Sequence, residues 1–397
     1  MKPPFRHVSQ KMIRTLILSL PMFVCGIVFV ELLFSQLRHR DGARSWLMAW
    51  AATATLLYAM HLNYFSGQLR FYECFDTIYV VCNLLVYPLY LIYIYKLTDL
   101  RPLSSRRWEL ACFIGVPVLM GGLVGTMYLL MSQGEREVFQ HEFLYHGRTS
   151  SIHGLALIMT RIHQLCRVLF AVFLIVSCIF GIRQINRFNH SLEQFYADTE
   201  QRHMGRQRAV LWALMVCSIV SFVVNLFGRQ HFESHSWTLY VLSVLFSVML
   251  LYIGWLGLTN TFSIIDMHHD LKEPTPSAEE HEETKETEKP DDRYCKLMAL
   301  VQQTMDEDHY FLQNDLNLNT LALHVGTNRT YLLQAIRQCE GVSFSEYINR
   351  QRIAYAERLK AEYPEMHAEE LAQRSGFSSV SAYYMNRRRY AHHSEKK

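Results

Sequence analysis

The sequence predicts an all-α chain: a seven-helix transmembrane bundle, a disordered acidic linker, and a soluble domain with two helix-turn-helix units. Three observations predict it. Charge-free apolar runs, most of about 20 residues, fill 1–265, and that length as a helix crosses the core of a bilayer. The 19-residue stretch 272–290 then holds seven Glu, three Lys and three Pro, with no large apolar residue. From 291 onward, short helical patterns alternate with glycine turns. The chain of 397 residues is half apolar and 19% charged. That average over two dissimilar parts excludes a single soluble globule, a collagen-like chain and a disulfide-rich secreted domain.

The seven runs are 16–34 (interrupted only by Glu31), 46–65, 77–95, 110–131, 168–182, 209–227 and 236–265. The fifth is short and is expected to extend back towards Leu155. Continuous runs without strict alternation favour helices over a barrel. Lys2, Arg6, Lys11 and Arg14 precede the first run in the manner of a signal peptide, but Glu31 and Phe34 stand where a cleavage site would be. A retained first helix is therefore expected. The loops after runs 1, 3 and 5 carry 12 Lys and Arg, against 4 in the loops after runs 2, 4 and 6. The positive-inside rule then makes the first set cytoplasmic, with the N-terminus outside and the C-terminal region inside a bacterial-type inner membrane. The basic N-terminal tail points the other way.

Polar groups in or beside the runs are costly and mark function or helix pairing. They are Glu31, His61, Asn63, Asp76, Asn83, Arg161, His163, Arg167 and Asn225. Of these, Glu31, His61, Asp76, Asn83, Arg161 and Arg167 form a candidate site for an unknown signal ligand; simple pairing between helices is the plainer reading. The last run, 30 residues, is about 45 Å as one helix against a hydrocarbon core of about 30 Å. A bend is expected near Gly254 and Gly257, where helix propensity drops.

The nine cysteines include no C-x-x-C pair, and most sit in apolar runs as small packing residues. His141 and His146 are five apart, whereas the zinc-protease helix needs a spacing of four, so no metal site is assigned. No phosphate loop, nucleophile elbow or kinase signature is present. The chain is expected to be neither an enzyme nor a cofactor carrier. The acidic stretch is expected to be a tether over 266–290, because such a composition buries too little surface to offset its ordering entropy.

In the C-terminal region 291–397, Tyr294, Leu297, Met298 and Val301 share one helical face. Asn317 can cap a helix over 318–324, Gly326 supplies a tight turn, and Asn328 caps a second helix from Arg329 to about Cys339. The inner face is Leu321, Ala322, Val325, Leu332, Ala335 and Ile336. Arg329, Thr330, Leu333, Gln334 and Arg337 point outward. Ser343 and Glu346 read as a capping box opening a helix of about 18 residues. A second pair follows over 368–374 and 379–390. The intervening helix spans roughly 27 Å, of the order of one DNA turn, so both recognition helices could enter successive major grooves.

The string G-x-S-F-x-x-Y-I…R-I…A-x-x-L over 341–359, followed by L-A-x-x-x-G-F-S-S over 371–379, resembles the AraC/XylS family of transcription regulators. The resemblance covers about 312–390, a fifth of the chain. It implies double-stranded DNA as partner, with Thr330, Leu333 and Gln334 reading bases in the first unit. In the second unit it implies Val380, Ser381, Tyr384 and Met385. The chain departs from the family at Arg387, which stands where a core Phe is usual, and loose packing of the second unit is expected. Arg388, in the run Arg387-Arg388-Arg389, is expected to hold phosphate. Lys and Arg equal Asp and Glu, 14 each, over 291–397. Weak binding by one copy is expected, which pairing into a homodimer would strengthen. The expected function is a membrane-embedded one-component transcription regulator. The alternative is a transporter or receptor in which a degenerate helix-turn-helix serves as a protein-interaction module.

Overall fold

The computed structural model describes residues 4–38, 40–66, 71–99, 101–199, 202, 204–224, 236–259, 264–272 and 290–390. It is helical throughout; among the described residues the single β feature is an isolated antiparallel bridge between Tyr196 and Asn317. The chain divides into two compact units: 1–185 with 205–264, and 186–204 with 265–397.

The first unit contains α1 (Pro4–Arg38), α2 (Gly42–Ser66), α3 (Tyr72–Thr98), α4 (Leu103–Leu130), α5 (Gln133–Val138), α6 (Gly154–Phe195), α7 (Gly205–Val224) and α8 (Ser236–Thr259). The last turns of α6 belong to the second unit. The described residues of each of the seven apolar runs lie on helices, apart from Met131, which caps one. The short fifth run does extend back, to Gly154. Among the described residues, five helices are long and apolar enough to cross a membrane: α1, α3, α4, α6 and α8. Helix α2 carries Arg44, His61 and Asn63. Asn225 lies outside the described residues.

Helix α1 packs on α2 and α8, α2 on α3, α3 on α4, and α7 on α8. A core of Val80, Leu84, Tyr128, Phe139, Phe143 and Met159 joins α3, α4, α6 and the π-helical run Phe139–Tyr145 that continues α5. The outward sides carry exposed Phe23, Ile27, Leu129, Val168, Val241 and Leu251. That is an apolar surface suited to lipid, because a bilayer demands no polar exterior.

Helix α8 runs unbroken through Gly254 and Gly257, where the sequence predicts a bend. A Cβ on Gly254 would stand 2.4 Å from Val28 Cγ2, and one on Gly257 would stand 2.0 Å from Leu47 Cδ2. These glycines let α8 approach α1 and α2 closely, so close packing rather than weak helix propensity explains them.

The second unit contains α9 (Ile264–Lys272), α10 (Pro290–Glu307), α11 (Leu318–His324), α12 (Arg329–Glu340), α13 (Phe344–Glu362), α14 (Ala368–Arg374) and α15 (Val380–Tyr390). The sequence reading assigned 266–290 to the acidic tether. Residues 264–272 form α9, and 273–289 lie outside the described residues.

Candidate functional site

The first helix-turn-helix forms as its caps dictate. The Asn317 side chain accepts from the Thr320 N–H at 3.0 Å, while the Asn317 N–H donates to Thr320 Oγ1 at 3.1 Å. Gly326 turns the chain at φ 67°, a left-handed conformation that costs glycine little. Asn328 then caps α12 by accepting from the Tyr331 N–H at 2.8 Å. Leu321, Ala322, Val325, Leu332, Ala335 and Ile336 are all buried, as their spacing predicts.

On the outer face of α12, Thr330, Gln334 and Arg337 are exposed, and Arg329 and Leu333 are half-buried. Gln334 Oε1 accepts a hydrogen bond from the Tyr294 hydroxyl of α10 at 2.8 Å. On α15, Ser381, Tyr384, Met385 and Arg388 are exposed and Val380 is half-buried.

Helix α13 joins the two halves. Ser343 caps it by accepting from the Glu346 N–H at 3.2 Å. The reciprocal arm of the expected capping box is replaced by an ion pair between Glu346 and Arg350, one turn on. Arg352 is fully buried, and burial lowers its pKa to about 10. Its Nε donates to the Phe311 carbonyl at 2.7 Å and its Nη2 to that of Gln313 at 2.6 Å. This ties α13 to the segment that leads into the first helix-turn-helix. Gly376, at φ 80°, packs on the backbone of Leu312, where a Cβ would stand 2.8 Å from Cα and O.

The loose second unit expected from Arg387 is also not found. Arg387 is exposed, and Tyr390, one turn further on, is buried with Tyr383, Phe377, Leu371, Ile353 and Leu359. Asn386 is buried too, and its side chain satisfies itself by donating to the Ala382 carbonyl at 2.9 Å. Thus Tyr390 supplies the apolar bulk that Arg387 does not.

Sequence reasoning missed the segment 186–204, which packs within this unit. The Ala197 N–H donates to the Leu316 carbonyl at 3.0 Å. The Ala197 carbonyl accepts from Ser345 Oγ at 2.9 Å and from Asn349 Nδ2 at 2.8 Å. The Tyr196 hydroxyl donates to Asp270 of α9, and Arg202 lies 4.3 Å above the Tyr196 ring. Burial and Asp270 hold that hydroxyl well above its usual pKa. The Asn319 amide donates to the Asp270 carbonyl at 2.7 Å. Arg337 Nε donates to Gln194 at 3.1 Å, and Arg389 pairs with Glu193 at 3.0 Å. The signal available was Phe195-Tyr196-Ala197, three apolar residues within an otherwise polar loop.

In the first unit, four of the six candidate signal residues come together. His61, Asp76, Asn83 and Arg167 line one cavity of about 150 Å³, together with His163. Glu31 and Arg161 are exposed and do not line it. His141 and His146 stack edge to face, with ring centroids 4.7 Å apart.

Residues 321–394 match the family model described as a helix-turn-helix domain, of the AraC/XylS type. The C-terminal part of the chain is therefore an AraC-type DNA-binding domain. No curated protein and no solved structure matches the chain.

Proposed function

We propose that the chain is a membrane-embedded one-component transcription regulator. It binds DNA sequence-specifically through two recognition helices under control of its membrane unit. The observation that carries this reading is that one chain joins an AraC-type domain with both recognition faces exposed to at least five span-length apolar helices. On this reading all seven long helices cross the inner membrane. The arginine-rich loops, 186–204 among them, lie in the cytoplasm beside the DNA-binding domain. The packing of 186–204 within the DNA-binding unit supports a cytoplasmic place for that loop.

Regulation on this reading runs through the loop. Gln194 and Glu193 occupy Arg337 and Arg389, which would otherwise be available to phosphate. A signal that shifts α6 or α7 would release the loop and the two arginines.

The test is footprinting by the full chain in lipid nanodiscs on the DNA upstream of its own gene. Salt-dependent protection of a defined site, absent on a scrambled duplex, is expected. Failure to protect any duplex would favour the transporter or receptor with a protein-interaction module. Reporter fusions at 140 and 270 should report opposite sides of the membrane; both reporting cytoplasm would refute seven spans.

A further inference from the structure

The cavity in the first unit has a definite charge pattern. Asp76 is buried, and its Oδ2 accepts from the Tyr128 hydroxyl at 2.8 Å and meets His163 Nε2 at 2.9 Å. His163 Nδ1 faces the Met159 carbonyl at 3.1 Å. Both ring nitrogens therefore face oxygen acceptors. Asp76 and His163 are thus engaged with each other and with partners on α4 and α6.

Arg167 is left over. Its guanidinium lies 4.9 Å above the Phe143 ring, and no carboxylate among the described residues pairs with it. It lines the cavity beside Tyr79, Phe170 and Asn83. A guanidinium half-buried among aromatic rings is a strong donor fork with an unfilled role. The cavity is thus apolar along its sides and carries a guanidinium at one place. Its volume matches that of a cavity that takes up benzene.

We propose that this cavity binds a small organic carboxylate, an aromatic or short-chain aliphatic acid. The carboxylate sits on Arg167, assisted by the Asn83 amide, and the apolar body lies against Phe143, Tyr79 and Phe170. This rests on the reading of the membrane unit as the receiver of a signal, and it names the chemistry of that signal.

The test uses the full chain in zwitterionic nanodiscs at constant ionic strength. Benzoate and hexanoate are titrated against neutral benzamide and cationic benzylamine, with the thermal midpoint read by intrinsic fluorescence. A saturable rise is expected with a carboxylate and not with the amide or the amine. Arg167→Gln should weaken that response about tenfold or more, and Arg167→Lys should retain part of it. Equal responses to benzoate and benzamide, stronger binding of benzylamine, or no response to either acid would overturn the proposal. An unchanged response in Arg167→Gln would also do so. If Arg167→Gln does not fold, the comparison of ligands on the unaltered chain decides. DNA binding by the same nanodiscs separates the two levels. Carboxylate binding without any change in DNA affinity leaves the cavity chemistry standing and removes the signalling role. A change in DNA affinity caused by another ligand, with no carboxylate binding, does the reverse.

Discussion

Asn349, buried on α13, donates its side-chain amide to the main-chain carbonyl of Ala197 at 2.8 Å, across 152 residues of sequence. Ser345, one turn earlier, donates to the same oxygen. The Ala197 N–H meanwhile donates to Leu316. Both backbone polar groups of Ala197 are therefore satisfied by the DNA-binding domain. That is the demand any buried backbone group makes.

Asn349→Ala should loosen this segment without unfolding the domain, because the cores of both helix-turn-helix units lie elsewhere. Removing one of two donors to a buried carbonyl costs roughly 1–3 kcal/mol. Hydrogen exchange at the Ala197 amide should accelerate by about one to two orders of magnitude, with amides of α12 unchanged. Equal acceleration in α12 would show that Asn349 supports the whole domain instead.

Glu193→Gln combined with Gln194→Ala should strengthen DNA binding a few-fold. Each contact is exposed and worth about 0.2–1 kcal/mol, so the gain is modest. Arg337 and Arg389 would be freed towards phosphate, and the dependence of affinity on salt should steepen by about 1 in slope per new contact. Binding isotherms at several salt concentrations measure both. An unchanged slope would mean that neither arginine reaches DNA.

The helices and both turn geometries were legible in the sequence because each is set locally. Asn317, Asn328, Gly326 and Gly341 specify caps and turns within a few residues of themselves. The inner face of the first helix-turn-helix followed from its period. What the sequence hid was set by distant partners. Nothing near Ala197 announces Asn349, and nothing near Gly254 announces Val28. The cavity was half legible. Asp76, His61, Asn83 and Arg167 stood out as polar groups in apolar runs, but so did Glu31 and Arg161, which face outward. Periodicity alone could not separate the two groups, since it gives the faces of a helix and not which face meets a neighbour. Arg387 misled for a similar reason: the register of α15 turns it outward, and Tyr390 fills the place.

Gly254→Ala distinguishes a packing glycine from a flexible one by sign. If Gly254 served as a hinge, alanine would stabilise α8 by up to about 1 kcal/mol. In the structure the added methyl meets all three branch carbons of Val28, at 2.4, 2.8 and 3.2 Å. A β-branched side chain has little rotamer freedom to yield. Overpacking of this kind costs about 1–3 kcal/mol. The thermal midpoint of the chain in detergent should fall, and Val28→Ala in the same chain should restore much of it. A rise in the single variant would revive the hinge.

Gln334 is expected to read a base edge while Arg388 holds a phosphate, and the structure adds a third participant. The Tyr294 hydroxyl donates to Gln334 Oε1, so the carbonyl end of that amide is engaged from within the domain. Its NH2 end is then presented outward as a donor, which suits an acceptor such as N7 or O6 in the major groove. Gln334→Ala should cost roughly 1–3 kcal/mol at one base position and relax specificity there. Tyr294→Phe should leave the overall affinity within a few-fold but let the amide rotate. It should broaden preference at the same position rather than at another, because the amide could then accept as well as donate. Arg388→Ala should weaken binding about equally on every sequence and reduce the salt slope by about 1. Selection of binding sites from a randomised duplex pool, run on the three variants, checks all of this. Preference altered at different positions by Tyr294→Phe and Gln334→Ala would separate the two residues, and an unaltered preference in Gln334→Ala would remove it from base reading.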